Sequence, residues 1–209
     1  MLEQLLKFFV VFLVVVEPLS VIPIFMSLTE GDSEAERRRM ARKGVLIAAI
    51  ILTVFAFLGG PFLRTMNISI DAFRIFGGLL LFLIALEMVF ARTSGTRTSN
   101  SEQEEGKKKA DISVFPLAFP FIAGPGALAT ILLAFGPASG KVALYAGLLA
   151  CVFVVLLITL ALLYVASPIM RIMGVTGANV VNRLFGVILG ALAVQFVIDG
   201  LLGSFAGVS

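Results

Sequence analysis

Six long apolar runs, each ended by a short polar stretch, fill almost the whole chain. Phe8 to Thr29 is apolar apart from Glu17, and Gly44 to Leu63 carries no charge. Asp71 to Ala91 forms a third run with Glu87 near its end. Ile112 to Gly140 and Val142 to Met170 follow, and Leu184 to Gly203 closes the series with Asp199 near its end. A membrane-crossing helix needs about 20 predominantly apolar residues. The pattern predicts an all-α polytopic membrane protein with six transmembrane helices.

Runs one and four are interrupted. The first contains Glu17-Pro18-Leu19-Ser20-Val21-Ile22-Pro23, the fourth Phe119-Pro120-Phe121-Ile122-Ala123-Gly124-Pro125-Gly126, and each places two prolines five positions apart. Proline removes a backbone donor and collides with the carbonyl one turn back, so helices 1 and 4 are expected to be discontinuous. At membrane depth, freed backbone groups persist only where protein buries them or a polar cavity receives them. Paired interruptions in corresponding halves of a membrane chain point to a transport site.

The halves match elsewhere too. Pro61-Phe62-Leu63-Arg64 parallels Pro168-Ile169-Met170-Arg171, and Arg74-Ile75-Phe76-Gly77 parallels Arg183-Leu184-Phe185-Gly186. Leu80 then keeps step with Leu189, and Leu83 with Leu192. Three spans per half is an odd number, so the second half runs opposite to the first. The expected organisation is two inverted three-helix repeats, 1–91 and 112–209, in a single membrane domain. A flexible linker over 92–111, rich in Ser, Thr, Gly, Glu and Lys, joins them. A duplicated scaffold serving only assembly would leave the proline breaks unexplained.

Composition removes the soluble alternative. The 209 residues are 59% hydrophobic and 14% charged, with a mean hydropathy of +1.08, where a soluble domain carries about 25% charged residues. Histidine is absent and Cys151 is the single cysteine, so no metal site, disulfide or imidazole relay is expected. The net charge of +3 does not mark a nucleic-acid binder. Its basic residues instead cluster beside spans: Arg37, Arg38, Arg39, Arg42 and Lys43 in the first loop, and Arg92, Arg97, Lys107, Lys108 and Lys109 in the third. Arg171 and Arg183 join them, against Lys7, Arg64, Arg74 and Lys141 on the opposite side. The positive-inside rule puts the richer side in the cytoplasm and both termini outside the cell membrane. Ser33-Glu34-Ala35-Glu36 is a capping box that starts a short helix leading into span two.

Glu17 lies about 15 Å of helix beyond Lys7, near mid-bilayer, where a carboxylate is costly and marks a functional site by default. It either binds a substrate ammonium or carries a proton, or it caps freed backbone at the helix break. Ala123-Gly124-Pro125-Gly126-Ala127 offers almost no side-chain bulk, so a half-helix starting near Gly126 would present N–H groups to an anion. A zwitterionic solute suits the pair. Candidate binding residues are Glu17, Pro18, Ser20, Pro23, Pro120, Ala123, Gly124, Pro125, Gly126, Thr130 and Gln195. Serine and threonine in spans also satisfy their own helix backbone. Arg74 and Arg183, at symmetry-related helix starts, are gating candidates or snorkel to headgroups. Glu17 and Asp199 complete the coupling set, although Asp199 also reads as interfacial. Gly77-Gly78 and Gly186-x-x-x-Gly190 read as helix-packing surfaces.

The stretch Glu17–Phe25 resembles the opening motif of the MarC family, which includes the SnatA-type neutral amino-acid transporters. So do Pro120–Ala127 and Leu192–Leu201, and the resemblance covers essentially the whole chain. It implies six spans in two inverted repeats, membership of the wider LysE-like group, and proton-coupled transport of small neutral amino acids such as glycine and alanine. It implies no cofactor. The chain departs from the motif at Glu17, where aspartate is the expected residue. Other readings are a LysE-like exporter of another small polar solute, a passive channel, or a membrane scaffold. An enzyme is not expected: there is no Walker A motif, and electron-carrying relatives need two cysteines. So short a chain leaves little bulk to enclose a pathway, which leaves homo-oligomerisation open.

Overall fold

The computed structural model describes residues 1–90, 111–138 and 140–206. Helix α1 (Leu2–Val16) stops at Glu17, which adopts a left-handed conformation at φ 50°, ψ 57°, and α2 (Pro18–Leu28) begins at once. Pro18 occupies the first helical position, where its missing N–H would be unpaired anyway. Pro23 lies inside α2 without ending it, so one interruption forms where the proline pair predicts a more extensive break.

The capping box starts α3 (Glu34–Thr65) as expected. The Ser33 hydroxyl accepts the Glu36 N–H at 3.3 Å, and the Glu36 carboxylate accepts the Ser33 N–H at 2.9 Å. From there a single 32-residue helix runs to Thr65, so the expected short entry helix and span two are one element. Helix α4 (Ile70–Phe90) follows. The linker expected over 92–111 lies, apart from Asp111, outside the described residues.

The segment numbered α5 (Ser113–Ile122) is wound in wide π turns. Phe115 and Phe119 are extended, at φ −131° with ψ 127° and 129°, because each precedes a proline that excludes the helical region for its neighbour. Its end bonds span five residues: Leu117 N–H to Ile112 C=O at 3.1 Å and Ala123 N–H to Ala118 C=O at 2.8 Å. Helix α6 (Pro125–Phe135) then starts with Pro125 in its first turn and Gly124 as its cap, at 55° to α5.

Helix α7 (Val142–Tyr164) is shorter than the expected fifth run to Met170. Pro168 does not close it. The chain breaks at Val165, and Pro168 falls in the first turn of α8 (Ala166–Ala206), where a missing donor is harmless. Gly174, at φ 59°, kinks α8. Among the described residues, five segments are long and apolar enough to cross a membrane, including Leu2–Leu28 taken as one, or six when α5 and α6 count as a bent pair.

Side-chain contacts give the directions of the helices. Lys43 pairs with Asp111 and Arg38 lies 5.8 Å over the Tyr164 ring, so the start of α3, the start of α5 and the end of α7 share one face, the basic face. At the other end Phe8 meets Phe135 edge-on at 6.1 Å, and Gly147 abuts Leu5. Helices α4 and α8 pack antiparallel along a glycine seam. A Cβ on Gly78 would come 2.8 Å from Ala193 O, one on Gly186 3.1 Å from Ala85 O, and one on Gly200 2.9 Å from Asp71 O. Small residues there let two backbones touch, which is the packing expected of them from sequence.

Candidate functional site

The two interruptions meet. Val15, two residues before Glu17, lies 3.2 Å from where a Cβ on Gly126 would stand, with Leu81 and Ile84 of α4 at 2.9 and 3.3 Å. A Cβ on Gly124 would strike the Pro120 carbonyl oxygen, so glycine is what lets the chain turn there. Glu17 is 3% exposed, and its own carbonyl receives the Ser20 and Val21 N–H groups at 2.9 and 3.3 Å. Pro18, Pro120, Ala123, Gly124 and Gly126 are buried beside the break, while Pro23 and Pro125 are half-buried. The gap walled by Val15, Ile84, Pro120, Gly124, Pro125 and Gly126 measures about 10 Å³. A single water needs at least that much, so the break is shut around itself.

One turn further along α6 the structure opens. A cavity of about 440 Å³ is lined by Lys7, Phe8 and Val11 of α1, Arg74 of α4, Thr130 of α6, and Phe196 and Asp199 of α8. Drug-sized ligand sites begin at about 300 Å³. Thr130, buried at its floor, spends its hydroxyl on the Gly126 carbonyl at 2.9 Å, so it links cavity and break through one turn of backbone. Arg74 donates to Asp71 at 3.0 Å, and Gln195 donates to Asp199 at 2.7 Å. The cavity therefore presents Lys7, paired with Glu3 at 2.8 Å, Arg74, paired with Asp71, and the Asp199 carboxylate over an apolar wall. It lies at the end opposite the basic face.

Three polar contacts tie helices together towards the basic face. Lys43 Nζ meets Asp111 Oδ2 at 2.6 Å, and the Lys43 ammonium, with Ser113 second, holds the Asp111 carboxyl down at about 2. Arg37 donates to Thr29 O at 3.1 Å. Ser20 donates to the Asn182 side-chain oxygen at 2.8 Å, tying α2 to α8.

Of the sequence candidates, Arg74, Asp199 and Thr130 share the open cavity, with Gln195 bonded to its carboxylate. The prolines and glycines gather at the closed break with Glu17. Arg183 joins neither group: it is exposed near the basic face, next to Asn182. Sequence reasoning used Lys7 only as a topology marker and passed over Asn182. The signal for Asn182 was available, since it is a carboxamide opening an apolar run. Lys43 and Asp111 are far apart in sequence, and nothing along the chain announces their pairing. Among the described residues, no group of three or more carboxylates, histidines or cysteines is placed to hold a metal.

The profile of the MarC family of integral membrane proteins matches residues 2–205. The UPF0056 membrane protein YvbG of Bacillus subtilis is 35% identical over 98% of this chain and 97% of its own length. The UPF0056 membrane protein YhcE of Escherichia coli is 33% identical, covering 96% and 93%. MJ1677 of Methanocaldococcus jannaschii, also a UPF0056 membrane protein, is 35% identical over 91% and 92%. No solved structure matches the chain.

Proposed function

Since the chain belongs to the MarC family of integral membrane proteins, we propose that it is a secondary transporter of a small zwitterionic solute, with glycine and alanine the first substrates to test. One observation carries this reading: a cavity holding Lys7, Arg74 and Asp199 ends one helical turn from a closed pair of helix breaks. A carboxylate is attracted to Lys7 and Arg74 and an ammonium to Asp199, over an apolar wall that receives a small side chain. The gap of about 10 Å³ speaks for a carrier rather than a standing pore.

Two inverted halves belong to the same reading. Arg74 and Arg183, matched in the internal repeat, lie at opposite ends of the helix set, as two oppositely directed halves require. With the basic face in the cytoplasm, the cavity opens outward and the Lys43–Asp111 pair belongs to the inner gate. Glu17, buried at the break, is the group to carry the coupling proton.

Radiolabelled glycine uptake into proteoliposomes tests the proposal. Accumulation that follows an imposed pH gradient is expected, falling about tenfold or more in Arg74→Gln and Asp199→Asn, since one charge-assisted hydrogen bond is worth that factor. Dissipation of a glycine gradient without accumulation makes the protein a channel. No flux of any small neutral amino acid overturns the proposal.

A further inference from the structure

A second cavity, separate from the solute pathway, lies between α3 and α7 at the end opposite the basic face. It measures about 460 Å³. Its walls are Ala56, Phe57, Phe135, Tyr145 and Leu149, and its rim carries Arg64 and Lys141. No acidic residue lines it. Neither Arg64 nor Lys141 has an ion pair among the described residues, whereas Lys7, Arg38, Lys43 and Arg74 all do. Phe57 is 53% exposed and Val142 83%, so the cavity faces outward from the helix set rather than into it.

The deep wall is fixed. The Tyr145 hydroxyl donates to Ala56 O at 2.6 Å, and its ring packs edge-on to Phe135 at 4.8 Å and tilted against Phe57 at 5.2 Å. That leaves an aromatic, aliphatic slot with its polar hydroxyl already spent. Gly60 adds an open notch, since a Cβ there would meet nothing within 4 Å.

We propose that this slot binds one anionic phospholipid of the leaflet opposite the basic face. An acyl chain fills the aromatic slot, and the phosphate lies between the Arg64 guanidinium and the Lys141 ammonium. Charge complementarity selects this occupant: two unpaired cations at the headgroup level, with no carboxylate among the lining residues, favour a phosphate that is not neutralised by its own amine. Basic contacts near a membrane surface add affinity for anionic lipid, and guanidinium binds phosphate with two parallel hydrogen bonds. Burial of the acyl chain supplies the remainder. An ordinary snorkelling pair would hold no lipid in fixed proportion.

Native mass spectrometry of the purified full chain, after exchange into detergent with equimolar phosphatidylglycerol and phosphatidylcholine, tests the assignment. One retained phosphatidylglycerol per protein is expected, with phosphatidylcholine displaced first. Arg64→Gln with Lys141→Gln is expected to lower retention roughly 30-fold, two basic contacts' worth. Gly60→Phe fills the notch while keeping both charges, and it is expected to abolish retention in a protein that stays monodisperse. Equal retention of the two lipids overturns the proposal, as does unchanged retention in both variants. Displacement by oleate as efficient as by phosphatidylglycerol overturns the phosphate assignment. None of these readouts depends on glycine flux.

Discussion

At Glu17 two costs coincide at one residue. A non-glycine residue in the left-handed region costs about 1–2 kcal/mol, and a buried carboxylate costs more unless it is satisfied. Such expense persists where the surrounding structure enforces it, and it concentrates at functional positions. Glu17→Gln keeps the shape and removes the charge. Gradient-driven glycine uptake should fall roughly 10- to 100-fold in that variant, the worth of a charge-assisted hydrogen bond of about 1.5–3 kcal/mol. Unchanged uptake with an unchanged pH profile would return Glu17 to a capping role. Asp111 behaves differently. Its carboxyl sits at about 2 against an ordinary 3.8, so its pairing with Lys43 stabilises the folded protein above that ordinary value and is lost as pH falls toward 2. The stability difference between wild type and Asp111→Asn, read by thermal unfolding in detergent, should stay constant between about pH 5 and 9. It should be under about 1 kcal/mol, because both side chains are more than a third exposed. The Lys43–Asp111 pair is therefore not itself a pH switch across that range. Residues of this kind were only half legible in the sequence. Glu17 stood out because charge is rare in an apolar run, whereas Lys43 and Asp111 are ordinary loop-edge residues until folding joins them.

Among the elements, the proline pattern located both interruptions but not their form. Pro18 and Pro125 each open a half-helix, where proline is at ease, while Pro23 is absorbed inside α2. Pro168, expected near the end of the fifth run, lies in the first turn of α8 in the structure, because the same residue suits either side of a break. Glycines were more legible, since Gly78 and Gly186 lie in the seam that small-residue spacing foretold. Gly78→Ala should cost about 1–3 kcal/mol, because the new methyl meets the Ala193 carbonyl and the Val197 amide, backbone atoms that cannot move aside, as well as the Val197 side chain. Gly60→Ala in α3 is the matched control. Its methyl meets open space, so it should be neutral or stabilise by up to about 1 kcal/mol. Thermal unfolding of both variants in the same detergent checks the contrast, and equal effects would mean the seam is slack.

On the scale of the whole molecule, the apolar pattern was enough to fix the class and the approximate number of spans, since hydrocarbon admits few backbone solutions. What the pattern could not carry is which helices touch, and the α4–α8 contact matters most. It joins α4 to the last helix of the chain, backbone against backbone. Ala85 and Gly190 give a direct test, for their Cβ positions lie 3.6 Å apart, within the span a disulfide bridges. Ala85→Cys with Gly190→Cys, in a Cys151→Ala background, should cross-link on oxidation and leave glycine flux intact. A bifunctional thiol reagent that spans Lys43→Cys and Asp111→Cys on the basic face should arrest it. Arrest by the first bridge would show that the seam must open during turnover. Two halves welded along such a line do not see-saw as whole blocks. For the proposed carrier the welded pair is a keel, and the strokes that would expose a cargo to one compartment and then the other fall to the oars around it: the jointed first span and the bent fourth.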